Sequence, residues 1–149
     1  PHQSPSAGLT MQHLCDNTRV VVGRKNHPLI KATHLKELAQ ADWATTAIDY
    51  NAEEDLARLF GNYQLPAPRV MFQARSAMSV LVALAQTDLL AMLPVQWIHN
   101  PMTRDLLQAF TLEEKIPAPS IVLVRRVDLP LTPPAEFFCD VLLRNLPTR

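Results

Sequence analysis

Three valines that feed a basic tip and then a proline constrain the fold of this chain more than any other feature: TRVVVGRKNHPLI, from Thr18 to Ile30. Val20, Val21 and Val22 leave a strand no polar face, so it should be buried on both sides as a crossing strand and not form one arm of a surface hairpin. Pro28 has no N–H for a ladder and biases His27 toward an extended backbone, which stops the strand.

At 149 residues and 48% hydrophobic, the chain has enough apolar material for a packed core, with one domain the default expectation. Fourteen basic side chains balance fourteen acidic ones, so the electrostatic drive of a nucleic-acid-binding module is missing. Cys15 and Cys139 stand far apart without CxxC or His/Cys ligand spacing, which disfavours a disulfide framework or a metal site and fits a reducing cytosol. The apolar run from Met78 toward Pro94 is interrupted by Gln86, Thr87 and Asp88, too early to span a bilayer. The first residues carry no signal-peptide pattern.

Residues 1–8 read as loose peptide. Strands are expected at Leu9 to Cys15 and Thr18 to Arg24, separated by an Asp16-Asn17 turn. A short helix capped by Thr33 should bury Leu35 and Leu38, and DWATT (Asp42 to Thr46) forms the next strand. Asn51 opens a helix with Leu56, Leu59 and Phe60 inward, and Gly61 is expected as its left-handed C-cap. RVMFQ (Arg69 to Gln73) then precedes a helix from Ala77 to Gln86, N-capped by Ser76 and so apolar that it should be covered on several faces. A strand Leu89 to Leu93 follows, then a second amphipathic helix with Met102, Leu106, Leu107 and Phe110 inward, while Glu113 to Lys115 lies near a strand edge. Pro117-Ala118-Pro119 is a stiff connector to the strand Ser120 to Arg126, and Pro133-Pro134 starts a last helix carrying Phe137, Phe138, Val141 and Leu142. Alternating strands and helices predict an α/β domain with a mainly parallel sheet and ligands outside the carboxyl ends of strands.

Enzyme signatures are missing: Gly8, Gly23 and Gly61 are isolated, so no phosphate loop, G-x-G-x-x-G or G-x-S-x-G elbow exists. The five histidines make no i,i+4 metal pair, and Glu53-Glu54 and Glu113-Glu114 read as solvated faces. No catalytic residue, metal ligand or cofactor is assigned. Turns remain. Arg75 and Ser76 lie between a strand and the start of a helix, where free N–H groups favour an anion; a plain cap and a solvated arginine are the alternative. Thr45 and Thr46 are strand-edge hydroxyls or ligand donors, and Trp97 closes the core in preference to lining a pocket.

The order of these pieces resembles the effector-binding domain of LysR-type transcriptional regulators. VVVGRKNHPLI resembles that family's valine-rich strand running into His-Pro-Leu. THLKELAQ and DWATT resemble its following helix and strand, SAMSVLVALAQTDLLAMLP its helix and strand ending in Leu-Pro, and SIVLVRRVDLPLTPPAEFFCDVLLRN its returning strand and closing helix. The family usually has glycines where this chain has Thr87-Asp88-Leu89.

The resemblance implies a periplasmic-binding-protein-like α/β fold, with a Rossmann-like second subdomain over residues 27–119 and a partial first subdomain. Residues 9–26 would lead through a hinge, and residues 120–149 would supply the returning hinge strand and the last helix, with Arg24, Lys25 and His27 marking entry into the sensing lobe. It further implies a cytoplasmic regulator, with no membrane partner, that senses a small effector between two lobes. DNA would be held by a homo-oligomer, a dimer or tetramer, through a helix-turn-helix domain outside these residues. Placed by position, the second-lobe wall comprises Thr45, Thr46, Arg75, Ser76, Met78, Pro94 and Gln96, suited to a carboxylate or sulfonate. Because the opposite wall would lie elsewhere, this chain alone should bind effector weakly or not at all, and its last helix should expose an apolar patch. A solute-binding protein of the transport type and an enzyme domain with an unrecognised site are the competing readings.

Overall fold

The structure, a computed structural model, describes residues 8–46 and 52–146. The expected Asn51 cap and most of the N-terminal peptide lie outside them. Contacts divide the chain into two compact units, Thr18–Pro117 and the two flanking stretches Pro1–Asn17 and Ala118–Arg149.

In the Thr18–Pro117 unit the valine strand is β2 (Arg19–Arg24). It pairs antiparallel with β5 (Ala91–Pro94) on one edge and with β6 (Leu107–Ala109) on the other. Val21 packs into one core cluster and Val22 into another, so the strand is buried on both faces, as its lack of a polar side demands. β3 (Asp42–Thr46) pairs parallel with β4 (Arg69–Ala74). A parallel bridge of Trp43 with Leu90 joins β3 to the start of β5, through Leu90 N–H to the Asp42 carbonyl at 2.9 Å and Ala44 N–H to the Leu90 carbonyl at 2.7 Å. The resulting order is β4-β3-β5-β2-β6. The expectation of a mainly parallel sheet therefore holds only for β4, β3 and β5, because β2 enters from the other end and runs against both neighbours.

Layers follow from alternation. α1 (Ala52–Asn62) buries Leu56, Leu59 and Phe60 with Trp43, Leu35 and Leu38 on one face of the sheet. α2 (Ala77–Gln86) buries Val80, Leu81 and Leu84 with Ala44, Ala91 and Leu93 on the other. α2 is not covered all round: Met78 and Val82 are exposed, Val82 to 59%. Trp97 is partly buried against the α2-side cluster.

Several ends differ from expectation. α1 runs through Gly61 to Asn62, and the left-handed residue is Gln64, at φ 58°. Gln64 N–H donates to the Gly61 carbonyl and Leu65 N–H to the Phe60 carbonyl, both at 3.0 Å, a Schellman closure in which Leu65 packs on the cluster holding Phe60. The turn at Leu35–Leu38 is 3-10 and starts after His34. Its start is held by Glu37, whose Oε1 accepts from the N–H groups of Thr33 and His34 at 3.1 and 2.9 Å; Thr33 does not cap it. The helix expected around residues 102–110 is replaced by one-turn α3 (Gln96–His99), a run of turns and β6. Met102 and Leu106 are exposed while Leu107 and Phe110 are buried, because the free edge of β2 takes this segment as a strand. Glu113 hydrogen bonds through its N–H to the Thr33 carbonyl and does not lie at a strand edge.

The other unit pairs β1 (Leu9–Cys15) antiparallel with β7 (Ile121–Arg126) and adds α4 (Pro133–Arg144). None of its described residues is buried, and Phe137 is 71% exposed. The sequence placed the limits of the second subdomain at 27 and 119, whereas the compact unit starts at Thr18 and ends at Pro117, which includes β2 because both its edges are paired there.

Candidate functional site

β4 lies on one side of β3 and β5 on the other, so the chain's winding reverses beside β3, and the crevice outside these carboxyl ends is where α/β sheets bind ligands. All seven predicted residues fall at this edge. Thr45 and Thr46 end β3, opposite Gln73 and Ala74 of β4. Arg75 and Ser76 follow β4, and Met78 lies in the first turn of α2. Pro94 ends β5, and Gln96 opens α3.

The edge has two faces. Because Trp43 packs on the α1 side and Ala44 on the α2 side, alternation puts Thr45 toward α1 and Thr46 toward α2, on the side of Ser76. Thr45 is 7% exposed and its Oγ1 has no hydrogen-bond partner, an expensive arrangement for a buried hydroxyl. Ser76 has the extended backbone of an N-cap, but its side chain makes no cap hydrogen bond, so the capping function expected of it is not performed. The first backbone bond of α2 is Val80 N–H to the Ser76 carbonyl at 3.3 Å, which leaves the N–H groups of Ala77, Met78 and Ser79 directed out of the helix start. No acidic residue stands in that turn. Arg75 is exposed and makes no hydrogen bond or ion pair among the described residues. Hydroxyls, free N–H groups and a guanidinium together complement a small oxyanion.

α1 differs. Glu53, Glu54 and Asp55 occupy its first turn, so its dipole is already answered by its own chain. Asp55 Oδ2 pairs with Arg19 Nη1 at 3.0 Å, and Arg19 stands opposite Pro94 at the same sheet edge. Sequence reading missed this pair, which sits 36 positions apart and becomes visible only once β2 is seen to run antiparallel to β5.

A groove of ≈ 580 Å³ also lies in the other unit, beside β1, β7 and α4, lined by Leu123, Val127, Leu131 and Cys139 among others. It holds none of the predicted residues. Its Arg126 pairs with Asp128 at 2.8 Å, and none of the residues that line it is buried, so it is an uncovered flank, and the sheet edge, with its buried unpartnered hydroxyl, is the better candidate. Among the described residues no cluster of His, Cys, Asp and Glu could hold a metal ion, and no helix is long and apolar enough to cross a membrane.

The family model described as LysR substrate binding domain matches residues 1–147. Among solved structures, the chain resembles a probable transcriptional regulator, PA0477 of Pseudomonas aeruginosa, at TM-score 0.78 and 19% identity, covering 98% of this chain and 47% of that one. The regulatory domain of CcmR from Synechocystis PCC6803, solved in complex with 2-PG, matches at TM-score 0.78 and 19% identity over 95% of this chain and 69% of its own. The effector binding domain of QuiR, in complex with shikimate, matches at TM-score 0.75 and 16% identity over 96% and 68%. The chain thus spans about half the length of the first of these and about two thirds of the others. The fold is the expected α/β, periplasmic-binding-protein-like one.

Proposed function

Since the chain belongs to the LysR substrate binding domain family, we propose that it senses a small anionic effector at the carboxyl edge of β3, β4 and β5. The observation that carries this reading is the unanswered polarity of that edge: the partnerless, buried Thr45 hydroxyl beside an uncapped helix start and a free Arg75. Thr46, Ser76, Met78, Pro94 and Gln96 complete the wall. A carboxylate or sulfonate would take the N–H groups of Ala77 to Ser79 and the guanidinium, and Thr45 and Thr46 would orient it. Two of the solved structures, the CcmR and QuiR domains, hold 2-PG and shikimate, both consistent with such an edge, and membership of this family favours effector sensing over transport.

The domain works by binding and not by bond chemistry. In the whole protein the chain passes between units at Asn17–Thr18 and again at Pro117–Ala118, and these two crossings serve as the hinge. An effector that binds one arrangement of the units better than another shifts their equilibrium by that difference alone. The readout is DNA binding through a helix-turn-helix domain in a cytoplasmic homo-oligomer.

Amide NMR of the chain titrated with shikimate tests the site. Weak binding, with a Kd of roughly a millimolar, should move the amides of Thr45, Thr46 and Ala77 to Ser79 together. Shifts confined to the opposite sheet end, around Asp88 and Asp105, or no shifts at all, would overturn the assignment.

A further inference from the structure

Arg19 is the first residue of β2, opposite the last residue of β5. Just before it, the Thr18 carbonyl accepts the Val95 N–H at 2.9 Å, which fixes this corner of the sheet to the segment carrying Gln96. Val21 packs on the α1 side, so Arg19, two residues earlier on the same strand, faces α1 as Thr45 does. The guanidinium is only 12% exposed and holds Asp55 at 3.0 Å, itself 19% exposed. Asp55 is shared. Its other oxygen, Oδ1, lies 3.4 Å from Nη2 of Arg58, which is 63% exposed.

The sharing matters because a part-buried carboxylate stripped of its only cation would be costly to leave behind. With Arg58 beside it, Asp55 keeps a partner if Arg19 turns away. Arg19 in turn lies at the edge where an anion is read, and a carboxylate already sits on it. We propose that Arg19 is a second anion-reading residue of this site, held in reserve by Asp55, and that an effector's acid group exchanges with Asp55 for its guanidinium. This rests on the reading of the carboxyl edge as the effector site. The exchange is an ion-pair substitution with no bond made or broken, and Asp55 transfers to Arg58. Asp55 then sets selectivity: only an acid that satisfies Arg19 better than Asp55 does is taken up, and a weak or poorly shaped anion is refused.

The test is NMR of the full 149-residue chain, following backbone amides and arginine Nε–Hε groups during titration with shikimate and, separately, with inorganic phosphate. In the wild type the Arg19 Nε resonance should move in step with the amides of Ala77 to Ser79. Asp55→Asn, which removes the competitor, should tighten the apparent Kd about five-fold, the effect of deleting one like charge at a partly screened site. Arg58→Gln changes an exposed residue outside the proposed wall, so it keeps the test available should Asp55→Asn unfold. It takes away one partner of Asp55 and should weaken binding about two-fold. Arg19→Gln combined with Asp55→Asn should cancel the gain. If the α2 amides move while the Arg19 resonance stays still, or while Asp55→Asn and Arg58→Gln leave the Kd unchanged, the exchange is refuted and the effector edge stands. If no resonance moves in any of these proteins, both fall.

Discussion

The two ends of the β4-β3-β5-β2-β6 sheet are built to opposite standards. At the amino end of the parallel strands every charged tip is answered: Arg24 Nε donates to Asp88 Oδ1 at 2.7 Å, Lys25 faces Asp105 at 3.6 Å, and Arg69 pairs with Asp42. His27, 3% exposed, is used through both ring nitrogens. Its Nδ1 accepts the Leu29 N–H at 3.0 Å, so its Nε2 donates to the Asp88 carbonyl at 2.9 Å, and the ring lies edge-on to Phe110. Even Thr87, at the end of α2, donates its hydroxyl to the Ala83 carbonyl at 2.7 Å. At the carboxyl end the Thr45 hydroxyl, the Ser76 side chain, the start of α2 and Arg75 wait. The buried Trp43 Nε1 near the amino end also lacks a partner, so the contrast lies in the charged and hydroxyl groups: they are paired at one end, and at the other they stay open, as a ligand site requires under the proposed function.

Substitutions that treat the ends alike would break this contrast. The largest effect belongs to His27→Ala, which empties a buried ring site and orphans the Leu29 N–H and the Asp88 carbonyl. Urea unfolding should show a loss of about 2–4 kcal/mol with an unchanged slope. Thr45→Val, by contrast, removes a buried hydroxyl that bonds to nothing. It should leave the protein as stable or more stable by up to about 1 kcal/mol while erasing the shikimate-induced shifts; a destabilisation as large as that of His27→Ala would mean that the two ends do not differ. Arg75→Gln should leave stability within about 0.5 kcal/mol and weaken anion binding roughly five-fold, which titration of both proteins would resolve.

Smaller effects sharpen the picture away from the edge. Gln64→Gly, relieving a non-glycine residue at φ 58°, should gain about 0.5–1 kcal/mol in the same unfolding experiment. Glu37 supplies a pH marker at the start of its 3-10 turn. The backbone N–H of Thr33, and next that of His34, hold its carboxyl below the ordinary 4.5. A lowered carboxyl stabilises the folded state above 4.5 and loses that contribution as pH falls through its folded value. The amides of Thr33 and His34 should therefore shift together as the pH falls below 4.5, and Glu37→Gln should abolish the step.

How far these features were legible in the sequence depends on how local their causes are. The burial of β2 was, because three adjacent valines offer water nothing whichever strands flank them. The edge residues were placed by their position in the family resemblance, and the fold brings them to one end of the sheet. Leu106, Leu107 and Phe110 fit a helical stripe equally well, and only the vacant edge of β2, a fact about distant residues, turns Leu107 into a strand. Gly61 drew the helix end to itself by its freedom, although the closure needed a left-handed residue three positions later and found Gln64. That Thr45 and not Thr46 is the buried orphan depends on which helix covers which face. The Arg19–Asp55 pair needs the topology before it can be seen at all.

The double pairing of β2 also bears on how this unit comes to be folded. Val22 meets Ala91 along one edge and Ala109 along the other, so this valine-rich strand is made before the rest of its unit and finds its neighbours only when nearly the whole unit has been synthesised. Closing such long loops is slow, and until it happens both edges of a valine-rich strand stand open to other chains. The strand that anchors the finished sheet is thus the nascent chain's chief exposure to misassembly.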